Sequence, residues 1–168
     1  MYKRQIRYVC NETDVWVELT NLVIPRSNDE TDELQRMCDW ILENIGADVP
    51  LHFTAFHPDY KMKDRGRTPH QTLINAYDLA VSAGLNYVYV GNVHDVKRQS
   101  TCCPSCTKLL IQRDWHKLGR YALDNQNCGH CGYEISGRFD PKPGTWGRRR
   151  QPLNVVRFDT GKNKAAAT

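Results

Sequence analysis

Nothing in the 168 residues approaches the run of roughly 20 apolar residues needed to cross a bilayer. The start, Met1-Tyr2-Lys3-Arg4-Gln5-Ile6-Arg7, is basic but has no apolar stretch behind it, so it does not read as a secretory signal. These two absences argue against an integral membrane protein and against export, and a cytoplasmic location is expected. The body of the chain also lacks a positive excess. From Lys142 onward there are seven Lys or Arg and one acid, Asp159, which leaves 16 basic and 18 acidic residues before it. The net charge of +4 therefore belongs to the tail. A uniformly basic nucleic-acid domain would distribute it differently.

The length suits one domain, or one domain with a small appendage. Val15 to Ile24 (VWVELTNLVI) is apolar and β-branched and predicts a strand that stops at Pro25. Asn28-Asp29-Glu30 offers a helix N-cap with acids in the first turn. Leu34, Met37, Cys38, Ile41 and Ile45 follow at helical spacing, and Gly46 closes the helix. Val49 to Phe56 predicts a second strand. Thr68-Pro69 reads as the N-cap and first residue of a second helix, with Leu73, Ala76, Tyr77 and Ala80 on its apolar face. Gly84 ends it, and Asn86 to Gly91 predicts a third strand. The order β-α-β-α-β with short connections implies parallel strands. Such a sheet needs cover on both faces, which two helices do not provide. Part of the fold is therefore expected from further sequence or from a partner.

Five of the seven cysteines fall between Cys102 and Cys131, with Cys10 and Cys38 elsewhere. Cys103-Pro-Ser-Cys106 and Cys128-Gly-His-Cys131 form two CxxC knuckles. Two such turns facing each other present four thiolates tetrahedrally, which suits structural zinc, with iron as an alternative. A cluster of reduced thiols in a small core and a redox disulfide pair are the competing readings. Cys102 is out of spacing and reads as a spare thiol. Gly132 follows the second knuckle, whereas Thr107 stands in the equivalent place after the first. Leu109 to Arg113 can form one strand of a ribbon hairpin.

The ends of the predicted strands carry the other candidates. Glu18 lies inside an apolar strand and needs a partner or a polar lumen. His52 and His57 have opposite strand parity, and His57, followed by Pro58, is expected at the exposed end. Asn92 reads as a turn former.

Taken together, VWVELTNLVIPRSND, VPLHFTAFHPDYKM, TPHQTLINAYDLAVSAGLNYVYVGNV, TCCPSC and CGHCG resemble the C-terminal half of the AmmeMemoRadiSam-system radical S-adenosylmethionine enzymes. These are relatives of the pyruvate formate-lyase-activating enzyme. The resemblance runs from about Val15 to Phe139. It implies an α/β fold: the C-terminal part of a parallel βα (partial TIM-type) barrel over residues 1–100, a four-cysteine metal ribbon over 101–140, and a basic tail over 141–168. The complete family enzyme holds a 4Fe–4S cluster through a CxxxCxxC motif and uses it to make a 5′-deoxyadenosyl radical from S-adenosylmethionine. The resemblance gives His57 a place on the S-adenosylmethionine side, with His52 as a weaker candidate.

The chain contains no CxxxCxxC motif. Cys102 and Cys106 have the first spacing, but Leu109 stands where the third cysteine belongs. The expectation is an enzyme portion inactive alone, completed by an N-terminal half on another chain, with its first strand presenting an unpaired edge prone to association. The alternative is a zinc-ribbon module that binds nucleic acid or protein, using the basic run Trp146-Gly-Arg-Arg-Arg150.

Overall fold

A computed structural model describes residues 2–139 and Lys142. It is a mixed α/β structure. Helix α1 (Tyr2–Glu12) leads to β1 (Leu19–Val23), α2 (Thr31–Asn44), β2 (Leu51–Ala55), α3 (His70–Ala83) and β3 (Val88–Gly91). The short helix α4 (Val96–Gln99) then enters a ribbon of β4 (Thr101–Cys102), β5 (Leu109–Asp114) and β6 (Lys117–Tyr121), followed by the pair β7 (Leu123–Asp124) and β8 (Asn127–Cys128).

The first three strands form a parallel sheet in the order β1-β2-β3, with Thr20 beside His52 and His52 beside Tyr89. Leu51, Phe53, Ala55, Val88 and Val90 point to one face and are buried with Leu34, Cys38, Ile41, Leu73, Ala76 and Ala80 of α2 and α3. The opposite face carries Thr20, Leu22, His52, Thr54 and Tyr89, as strand alternation requires. Gly91 continues that row because a Cβ there would lie 2.8 Å from the Thr54 methyl.

The first strand is shorter than its apolar sequence predicts. Leu19 N–H donates to Pro50 O at 2.8 Å, and proline has no N–H to carry the ladder further back. Val15 and Trp16 therefore lie outside the sheet, at 62% and 39% exposure. The basic N-terminal residues, which lack the apolar run of a signal, form helix α1. Ile6, Val9 and Cys10, three and four apart, are its half-buried residues. Asn11 Nδ2 donates to Asn44 O at 2.9 Å, and Lys3 Nζ stands 5.0 Å over the Trp40 ring, so α1 lies beside α2.

Two expected caps have other roles. Glu30, not Asn28, is the N-cap of α2. Asn28 instead closes the loop after β1, accepting from Ile24 N–H at 2.7 Å and donating to Leu22 O at 3.0 Å. Pro69 takes the N-cap position of α3. The buried Thr68 hydroxyl accepts from Phe56 N–H at 2.8 Å and donates to Val23 O at 2.5 Å, pinning the carboxyl ends of β1 and β2 together.

Thr68→Val keeps the shape of that side chain but orphans a buried N–H and a buried carbonyl. It is expected to lower unfolding free energy by about 1–3 kcal/mol in urea denaturation. A change within about 0.3 kcal/mol would show that the hydroxyl is not a structural pin.

Candidate metal centre

The two knuckles are built alike. Cys103 N–H donates to Lys108 O at 2.9 Å, and Thr107 N–H donates to Cys103 O at 2.9 Å. The second turn repeats both bonds: Cys128 N–H to Tyr133 O at 2.8 Å, and Gly132 N–H to Cys128 O at 2.8 Å. Each turn needs a residue of positive φ after its second cysteine. Gly132 supplies it at +76°. Thr107 adopts +60° despite its β-branched side chain, and its hydroxyl donates to Cys106 O at 2.8 Å. Thr107 in the glycine's place thus leaves the turn intact. Gly129 is needed for another reason: a Cβ there would lie 2.8 Å from Ala122 O.

These turns bring Cys103, Cys106, Cys128 and Cys131 together with all four sulfurs within 4.8 Å of one another. Cys103 Sγ lies 3.7 Å from Cys131 Sγ, and Cys106 Sγ lies 3.7 Å from Cys128 Sγ. Tetrahedral coordination at a metal–sulfur distance of about 2.3 Å places sulfurs about 3.8 Å apart, so the arrangement fits a single metal ion. A cubane cluster would hold its four thiolates further apart. Burial pushes the Cys128 thiol up, but the His130 and Cys131 N–H groups and the neighbouring thiols outweigh this and hold it at about 7. At Cys131 the Tyr133 N–H favours the thiolate, yet burial and the Cys106 and Cys128 thiols together push it up. The other cysteines stand apart from this group. Burial pushes the Cys38 thiol in α2 up to about 11, with help from Asp39. Cys102 is exposed, and burial of its sulfur also pushes its thiol up, as does Cys103.

The ribbon is not free of the sheet. Cys103, Leu110, Ile111, Cys128 and Ile135 share a buried cluster with Tyr87, which precedes β3 and faces away from α2 and α3. Ser136 N–H donates to the Tyr87 hydroxyl at 3.2 Å, and the Tyr89 hydroxyl lies 2.9 Å from Thr101 Oγ1. Helix α4 anchors the entry to the ribbon. Asp95 caps it through Arg98 N–H at 3.0 Å, and Ser100 Oγ accepts from Arg113 N–H of β5 at 3.0 Å. The ribbon thus covers the helix-free face over β3, while Leu22 of β1 on the same face stays 42% exposed.

Of the strand-end candidates, His57 lies beyond β2, exposed, and forms no hydrogen bond or ion pair among the described residues. His52 is on the helix-free face, stacked on Tyr89 at 4.9 Å and with Nε2 2.9 Å from Glu18 Oε2. The carboxylate that needed a partner has one, and its second oxygen accepts from Trp16 Nε1 at 3.1 Å. The two histidines do not share a site. Asn92 takes φ +59° and donates to Ala55 O at 3.1 Å, joining the ends of β2 and β3. The basic run Trp146 to Arg150 lies outside the described residues. A CxxxCxxC set of cysteine ligands for a cluster is not present in the sequence. Among the described residues no helix is long and apolar enough to cross a membrane.

Fold and site together define a mixed α/β protein with a parallel sheet and a four-cysteine group close enough to hold a metal ion. The chain is 42% identical over 123 residues to a protein named uncharacterized protein MJ0808 of Methanocaldococcus jannaschii. The match takes in 72% of this chain and 37% of that relative, so the chain spans well under half the relative's length. No family model matches the chain, and no solved structure matches it.

A metal held by four thiolates is lost as they protonate. Acidification from pH 7 is therefore expected to release bound metal, with Cys128→Ser releasing it at higher pH than the wild type. Metal content that stays constant to pH 4, or is unchanged by Cys128→Ser, would place the metal elsewhere.

Proposed function

We propose that this chain is the C-terminal half of a radical S-adenosylmethionine enzyme. In this reading β1, β2 and β3 are the last strands of a partial TIM-type barrel, and the ribbon carries structural zinc. His57 belongs to the S-adenosylmethionine side, and the cluster-binding half lies on a separate stretch of polypeptide. The observation that carries it is the arrangement of the sheet. Among the described residues helices α2 and α3 cover one face, β1 pairs only with β2, and the other face over β1, carried by Thr20 and the apolar Leu22, is exposed, as a sheet awaiting further barrel strands would be. The order of the five resembling segments supports the same reading, as does the greater length of MJ0808. Zinc is favoured over an iron–sulfur cluster by the close spacing of the thiols. A fully ligated ion has no open position for substrate, so its role is structural.

The residues of this chain would then bind and orient rather than perform redox chemistry. His57 stands at the carboxyl end of β2, where barrel enzymes place residues that touch the ligand. Thr68, Asn28 and Asn92 hold the three strand ends in register behind it.

The test uses this chain and its longer relative. With S-adenosylmethionine and dithionite under anaerobic conditions, this chain alone is expected to release no 5′-deoxyadenosine. Full-length MJ0808, reconstituted with iron and sulfide, is expected to release it. A full-length relative that binds no cluster and makes no 5′-deoxyadenosine would sink the proposal, as would turnover by this chain alone.

A further inference from the structure

At the amino ends of the three parallel strands, on the helix-free side, lies a cavity of about 400 Å³. It is at the opposite end of the strands from His57 and within the size range of small-molecule sites, roughly 300–1,000 Å³. The sheet and the ribbon form it jointly.

Its lining has two chemical components. Trp16, Tyr87, Tyr89, Tyr121 and Phe139 supply aromatic surface from both parts. Such rings accept a flat partner through offset or edge contacts. The charged component is Arg113, Arg138 and Lys142 against a single acid, Glu18. Glu18 is held by Trp16 and His52, and its single charge leaves the three cations in net excess along the lining. Arg113 is the best placed of these. Its Cζ lies 5.7 Å from the Tyr89 ring centroid, and its guanidinium donates to Thr101 Oγ1. A guanidinium has five N–H donors, more than its bond to Thr101 uses.

We propose that this cavity binds a small aromatic anion, with a flat ring against the tyrosines and an acidic group on Arg113. The acidic group is a phosphate or a carboxylate. The inference does not depend on the barrel reading, since it uses no cluster and lies away from the carboxyl ends of the strands.

Isothermal titration of the full chain with AMP, indole-3-acetate and adenosine tests it. At least one of the two acids is expected to bind saturably, and its identity assigns the group as phosphate or carboxylate. Arg113→Gln is expected to weaken that binding about tenfold or more, as loss of a charged hydrogen bond does, and Arg113→Lys by less. If AMP is the binder, adenosine is expected to bind more weakly by a similar factor. Trp16→Ala, outside every helix and strand, is the second variant. It is expected to weaken binding while leaving the metal content at the wild-type value, which separates a lost contact from a lost fold. The proposal fails if neither acid binds saturably below about 10 mM. It also fails if Arg113→Gln and Trp16→Ala both bind as the wild type does.

Discussion

The cysteine side of the molecule depends on four sulfur atoms held within 4.8 Å of one another. Without an ion, thiolates at this spacing repel, so full ionisation is opposed. A bound divalent metal would remove that conflict and link two turns more than 20 residues apart in the chain. The magnitudes favour the metal over every other local term. Strands of two residues such as β7 and β8 have little stability of their own. A structural four-thiolate zinc site is worth about 10–16 kcal/mol at neutral pH, comparable to the whole stability of a small domain, about 5–15 kcal/mol.

What the knuckles hold together then acts on the sheet. A parallel sheet is stable when both faces are covered. Helices α2 and α3 bury one face through Phe53, Leu51 and Val90. The ribbon reaches the other through Tyr87 and Tyr89, whose hydroxyls find Ser136 N–H and Thr101 Oγ1. Burial of Tyr87 favours its neutral phenol, as its raised pKa reflects, with the Ser136 contact acting in the opposite sense. The four-cysteine group, the ribbon core and the far side of β3 thus form one chain of contacts. The surface over β1 at Leu22 lies beyond its reach and is exposed.

Much of this was legible in the residues. The alternation of Leu51, His52, Phe53, Thr54 and Ala55 separates the two faces of β2, and the knuckle spacing predicts which four cysteines meet. The misses have physical causes. Helix α1 half-buries Ile6, Val9 and Cys10, a short stripe set beside Lys3, Arg4 and Arg7. Thr68 has a good N-cap's chemistry, but its hydroxyl is used by Phe56 and Val23, 12 and 45 residues away, which no local pattern reveals. Thr107 shows the reverse: a residue disfavoured at positive φ is accepted because the turn's hydrogen bonds hold it there. The cavity depends on Trp16, Tyr89 and Tyr121 meeting across two substructures, so spacing could not announce it.

The most direct test of the metal-centred account is the content of metal and acid-labile sulfide in anaerobically purified protein, with zinc and iron both supplied during expression. One metal ion per chain and no acid-labile sulfide is the result predicted by sulfurs 3.7 Å apart. About four irons and four sulfides per chain would contradict it, and would make the ribbon a cluster site rather than a structural clasp.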